Sequence, residues 1–300
     1  MTDHAAPEAP AIESATPALC RLMLGVELRK LRESAALKAA EVARRLTWAQ
    51  SKITRLETAE NGVAEPSDVL ALCTVYGASS DTTEVLMSYA SVTKTRRDWW
   101  QKPDVRDVIT PSFKAYLGLE AVAARLESYQ NEFVPGLLQT EDYVRTILER
   151  AHTGLPREQI EKRIAVRMTR QEALLRPGSP LEFTAVISES VLRRPVGGSA
   201  VMRAQLTHIT ELAGARPNVN VQVVPFSVGR HPGMNGPFTF LTFPGSLRPI
   251  VYLENLTGAG VSRREQDLHL YESTFRELQA VAPGYEKSLS MIEQASKEIR

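Results

Sequence analysis

Cysteine is nearly absent. Cys20 and Cys73 are the only two in 300 residues, too few for a disulfide framework or a zinc site, so both read as reduced thiols. No apolar run approaches the roughly 20 residues of a membrane span, and the first residues hold no apolar signal core. A cytoplasmic protein with no membrane contact is expected. Charge of one sign is not in excess either: 36 Lys and Arg face 35 Asp and Glu, for a formal net charge of +1. A chain that coats nucleic acid along its whole length is thereby excluded. There is no HExxH, no P-loop, no GxSxG and no dinucleotide fingerprint. His152, His208, His231 and His269 are scattered without ligand spacing, and His4 sits in a polar leader. No catalytic residue, metal or cofactor is expected. The Gly-rich GRHPGMNGP lies between strands, not at the start of a helix, and reads as a long hairpin loop rather than a phosphate cradle.

What is present concentrates in Leu37 to Glu57, LKAAEVARRLTWAQSKITRLE. Val42 and Leu46 stand four apart, Ile53 and Leu56 three apart, so each pair forms an apolar stripe on a short helix. Ala43 is small enough for a second helix to cross closely. The second helix carries Gln50, Ser51, Lys52, Thr54 and Arg55 on its other faces, the residue types that hydrogen-bond base edges and phosphates. From Arg21 to Thr58 nine cations (Arg21, Arg29, Lys30, Arg32, Lys38, Arg44, Arg45, Lys52, Arg55) face four acids (Glu27, Glu33, Glu41, Glu57), a local surplus of five. That surplus lies where phosphate is expected. A charged, solvated helical hairpin is the plain reading of the same pattern.

Leu24 to Tyr76 resembles the helix-turn-helix domain of the Xre, or lambda-repressor-like, family through LGVELRKLRESAAL, EVARRLTWAQSKITRLETAENG and PSDVLALCTVYG. The resemblance implies five helices, with Ala49 to about Thr58 as the recognition helix, and double-stranded operator DNA as partner. The chain departs from the family at the turns. Ala36 stands where Gly is usual, Lys38 and Ala39 where Thr and Gln open the second helix, and Thr47 and Ala49 around the central turn and cap. A missing Ser or Thr cap costs about 1 kcal/mol, and a β-branched Thr47 is strained if its φ is positive. The Gln usual at 39 makes a phosphate contact in the family; Lys38 can offer a charge to the phosphate but not that geometry.

The remaining chain supplies a second core. Residues 1–18, rich in Ala, Pro and acids, read as a disordered tail. Residues 19–80 are the DNA-binding domain, 81–110 a connecting helix and junction, and 111–300 an α+β domain. The connecting helix is expected to run from Asp81 or Thr82 to about Trp100. Trp99 and Trp100 read as a buried anchor rather than a base-stacking pair. A helix is expected over Phe113 to Tyr129, followed by helices through Tyr143–Leu148, Glu158–Leu175, Met202–Ala213, Leu268–Leu278 and Leu289–Ile292. LEFTAVIS, VNVQVVPF, PFTFLTF and PIVYLE alternate as strands and are expected to form a small, mostly antiparallel sheet. The fold class is therefore α+β: an all-α helix-turn-helix domain, then a mixed domain.

From Trp99 to Ile292 the chain resembles the C-terminal domain of actinomycete WhiJ-like regulators. WW, LEAVAARLESYQNEFVPGLLQTEDY, RMTRQEALL, ISESVLRRPVGG, VQVVPF, GPFTFLTF and IVYLE carry the match. The resemblance implies regulation near DNA, beside a small companion protein encoded next door. Glu120, Tyr129, Arg167, Arg170, Gln171, Glu189, Arg193 and Glu254 fall within these motifs. Buried charge is costly unless paired, so if they converge they either staple helices to the sheet or line a ligand or partner pocket. The expected protein is a sequence-specific transcriptional regulator, a repressor and homodimer, whose C-terminal domain binds a companion protein or small ligand. An antitoxin-like protein that sequesters its partner is the rival. A self-cleaving LexA-type repressor, cut at Ala213-Gly214 or Ala259-Gly260, is the enzymatic one.

Overall fold

The computed structural model describes residues 16–59, 63–151, 154–244, 247–255 and 258–299. His4 and most of the expected tail, the Asn61-Gly62 loop and His152 lie outside them. The chain divides into two compact units, residues 1–103 with 244–247, and residues 104–243 with 248–300. No helix among the described residues is long and apolar enough to cross a membrane.

Five helices build the first unit: α1 Pro17–Ser34, α2 Ala39–Leu46, α3 Gln50–Glu57, α4 Pro66–Tyr76 and α5 Ser80–Thr95. Helix α1 starts within the span expected to be a tail, because Thr16 caps it (Leu19 N–H donates to its Oγ1 at 3.2 Å) and Pro17 takes the first helical turn, where its missing N–H costs nothing. Pro17, Ala18 and Cys20 are buried, so Cys20 sits in a core. Gly77, at φ 69°, stops α4 in the left-handed region that suits glycine. Helix α5 packs on α1 and α4 and so belongs to the first unit, not to a connector. It also ends at Thr95, short of the tryptophans. Asp98 is drawn back to α1, where Ala18 N–H donates to its Oδ1 at 3.2 Å and Arg21 Nη2 to its Oδ2 at 2.7 Å. Arg96, between α5 and Asp98, is extended, at ψ 158°. Trp99 and Trp100 follow in a 3-10 turn with rings edge to face at 5.5 Å, Trp100 buried.

The second unit holds α6 Pro111–Val122, β1 Arg125–Gln130, α7 Glu141–Ala151, α8 Arg157–Gln171, β2 Glu182–Ser188, α9 Glu189–Arg193 and α10 Gly198–Ala215. Then come β3 Val219–Val224, β4 Phe238–Thr242, β5 Ile250–Asn255, β6 Gly258–Ser262, α11 Glu265–Val281 and α12 Tyr285–Glu298. The sheet order is β3-β2-β1-β4-β5-β6. It is mixed, not mostly antiparallel: β3, β2 and β1 run parallel, while β4, β5 and β6 add antiparallel neighbours. Parallel neighbours need long crossovers, and the helices between β1 and β2 and between β2 and β3 supply them.

Strand β1 replaces the second half of the helix expected over Phe113 to Tyr129. Leu126 and Tyr129, three apart, imitate a helical stripe. In the sheet, however, Leu126, Glu127, Ser128 and Tyr129 are all buried, on alternating faces. Glu127 is tolerated inside because Arg276 of α11 donates to it at 2.6 and 3.1 Å. One sheet face, with Tyr129, Val186, Phe238, Phe240 and Val251, packs on Phe275 and Leu278 of α11. The opposite face carries Leu126, Ser128 and Gln130 of β1, Phe183 of β2, Thr239 of β4, and Tyr252 and Glu254 of β5, as the registers require.

Candidate functional site

In the first unit the geometry centres on α3. Ile53 and Leu56 are buried, and Gln50, Ser51, Thr54 and Arg55 are exposed. At 3.6 residues per turn those four share an arc of about 140°. Lys52 is not with them. Its Nζ lies 2.8 Å from Asp68 of α4 and 3.8 Å above the Trp48 ring, on the flank of the helix. Thr54 turns its hydroxyl onto the Gln50 main-chain carbonyl at 3.3 Å, and the Gln50 residue is exposed.

The turn between α2 and α3 has the strain its sequence suggests. Thr47 adopts φ 56°, ψ 39°, and closes α2 through Trp48 N–H on the Ala43 carbonyl at 2.8 Å. Ala36 is likewise at φ 55°. Lys38 and Ala49 occupy N-cap positions without a side-chain capping bond. Arg32 of α1 grips Glu57, at the end of α3, through two bonds of 2.6 and 2.8 Å and reaches the Leu37 carbonyl at 2.9 Å. Gly25 permits the crossing, since a Cβ there would fall 2.7 Å from the Leu56 carbonyl and 2.8 Å from that of Glu57.

Ion pairing trims the basic surplus to a few groups. Arg21, Arg29, Lys30, Arg32, Arg45 and Lys52 each meet a carboxylate. Among the described residues Lys38, Arg44 and Arg55 do not, and all three are exposed on or beside α2 and α3. Arg44, unremarked in the sequence pattern beyond its charge, therefore stands with Lys38 and Arg55 as a candidate phosphate contact.

The C-terminal polar cluster assembles in part. Glu120 of α6 and Arg170 of α8, 3% and 7% exposed, form a bidentate pair with both bonds at 2.7 Å. Arg170 lies 5.2 and 5.3 Å from the ring centroids of Phe113 and Tyr116. Burial, with the Glu120 charge beside it, pushes the Tyr116 phenol well above its usual range. Gln171 donates to the Gln139 carbonyl at 2.7 Å and holds the PGLLQT turn in place. Arg167 donates to Gln139 Oε1 at 2.9 Å. Burial, with Arg170 as a neighbouring cation, lowers Arg167 to about 10. Arg167, Arg170 and Glu254 line a cavity of about 70 Å³ with Phe113, Tyr116, Ser128, Gln130, Gly136, Thr239 and Tyr252 among its other walls.

Three members of the cluster lie elsewhere. Tyr129 is on the opposite sheet face, its ring against Gly233, where a Cβ would collide with it. Glu189 accepts from Phe226 N–H at 2.9 Å, and Arg193 joins Glu189 to Glu298 of α12. That pair staples surface elements. The cavity's polar floor, Ser128, Gln130 and Thr239, escaped sequence reasoning. Its signal is two polar residues two apart in a stretch whose register was not recognisable as a strand.

Over residues 23–86 the chain matches a model described as a helix-turn-helix domain. Over residues 113–294 it matches the domain of unknown function DUF5753. No curated protein and no solved structure matches it. With more than half of its length inside the second match, the chain belongs to the DUF5753 family and carries a helix-turn-helix domain ahead of that region.

Proposed function

We propose that the protein is a sequence-specific, double-stranded-DNA-binding transcriptional regulator of the Xre type. Helix α3 enters the major groove, and Lys38, Arg44 and Arg55 meet the backbone. The observation that carries the reading is the outward arc of Gln50, Ser51, Thr54 and Arg55 on a helix whose other side is anchored by Ile53, Leu56 and Glu57. An amide and hydroxyls on an exposed, rigidly held helix are what base-edge recognition requires. The second unit receives the signal, from a small companion protein or ligand, and supplies the dimer contact. The protein acts by binding and not by catalysis. A dimer sets two copies of α3 about 34 Å apart on a pseudo-palindrome. A repressor that yields to its companion protein is the form we favour, on the resemblance to the actinomycete WhiJ-like regulators.

Genome-wide mapping of bound sites, with identification of co-purified proteins, tests the reading and supplies the operator. On that operator Gln50→Ala is expected to weaken binding by about 1–3 kcal/mol while leaving random DNA nearly untouched. Equal losses on both would remove Gln50 from base reading.

A further inference from the structure

The cavity in the second unit is built unlike a structural ion-pair network. Of its two guanidinium groups, Arg170 is neutralised by Glu120 through a bidentate pair. Arg167, one helical turn earlier, has no carboxylate within ion-pair distance among the described residues. It donates to the neutral Gln139 side chain at 2.9 Å. The Glu254 and Glu120 charges act on Arg167 from beyond ion-pair distance, and a partly buried cation bonded to an amide oxygen keeps hydrogen-bonding capacity for an anion.

The floor points the same way. Ser128 and Thr239, both buried, meet at 3.4 Å, and Gln130 Nε2 reaches Ser128 Oγ at 3.4 Å. Both contacts are longer than preferred, about 2.7–2.8 Å between hydroxyls and about 2.9–3.0 Å from an amide N–H, so the donors are weakly engaged. Gly136 completes the cradle, because a Cβ there would stand 3.2 and 3.3 Å from the Nη1 atoms of Arg167 and Arg170. Glu254 sits exposed at the rim, its carboxylate already accepting from Tyr252 at 3.0 Å. A cavity of about 70 Å³ has room for roughly five water-sized groups at 10–15 Å³ each, the size of one phosphate or short carboxylate.

We propose that this cavity is an oxyanion-binding site in which Arg167 holds a phosphate or carboxylate head group over the Ser128–Thr239 floor. The inference deepens the signal-receiving half of the proposed function. It is read out without DNA, so its failure and that of the operator titration remain distinguishable.

The experiment is calorimetric titration of the full chain with inorganic phosphate and, separately, with acetate. One anion is expected to bind at millimolar concentration or below with unit stoichiometry. Binding of phosphate alone assigns a phosphate-bearing ligand, and binding of acetate a carboxylate. Arg167→Gln, checked for native circular dichroism, should weaken that anion about tenfold or more, while Arg125→Gln, at an exposed pair with Glu182, should not. Should Arg167→Gln fail to fold, Gly136→Ala serves in its place and is expected to weaken the same anion by crowding both guanidinium groups. If neither anion binds the unaltered chain, or if the folded cavity variant binds as tightly as that chain, the site is not an oxyanion site.

Discussion

Single residues in the first unit run against local preference, and each departure is measurable. Thr47 holds φ 56° without a glycine's freedom, and Ala49 leaves the first amides of α3 uncapped. Thr47→Gly and Ala49→Ser are each expected to stabilise the protein by about 0.5–1 kcal/mol. Urea melts followed by circular dichroism check this, and a lower midpoint for both variants would mean that turn and cap do not govern stability. Both positions were legible in the sequence as departures, because the chemistry of a turn is local. Gly25 was not legible, since its necessity comes from the Leu56 and Glu57 carbonyls some thirty residues away. Gly25→Ala should cost about 1–3 kcal/mol through overpacking, and the same melts measure it. Burial raises the Cys20 thiol to about 11, and burial also raises Cys73. A raised folded-state pKa keeps both thiols protonated through their ordinary titration range; the stability this carries is full below that range and is lost as pH climbs through it toward the folded-state value. At about pH 8 neither should react with an aromatic disulfide until urea unfolds the unit. Rapid labelling of two thiols in native buffer would contradict the buried placement.

Paired side chains fix how the elements meet. Arg32 and Glu57, 13% and 7% exposed, tie α1 to the end of α3. Removing one partner leaves the other charge poorly solvated, so Arg32→Ala is expected to destabilise the protein by about 3 kcal/mol, and the Arg32→Ala, Glu57→Ala double variant by less than the sum of the two single ones. A double-mutant cycle in urea decides it, and additive losses would show that the two side chains do not couple. At the same scale the sequence misled over β1. Its Leu126–Tyr129 spacing suits a helix, and the buried Glu127 hides the alternation of a strand. Only Arg276, 149 positions away, makes Glu127 compatible with the interior. β6, Gly258–Ser262, was missed for a simpler reason: two glycines, an alanine and a serine around Val261 carry almost no β signal.

For the whole molecule the division at Pro103 matters most. A cut at Arg97 would remove Asp98, which ties down the start of α1, and the buried Trp100. A fragment of residues 1–103 is therefore the proper test of independence. It is expected to fold, to sediment as a monomer and to bind the operator more weakly than the full chain, because paired half-sites require a dimer. Sedimentation and DNA titration read both properties. A dimeric fragment with undiminished affinity would take the dimer contact away from the second unit.

The sequence by itself determined the helix-turn-helix, four of the five outward residues read on α3, the two reduced thiols and the presence of strands in the second unit. These follow from periodicity and turn chemistry within a few residues of one another. Tertiary structure alone decided that the sheet is mixed, that Lys52 faces Asp68, and that Arg170 is neutralised while Arg167 is not. Strand order and charge pairing depend on groups tens of residues apart, and a side chain's partner is settled by which elements the hydrophobic core brings together.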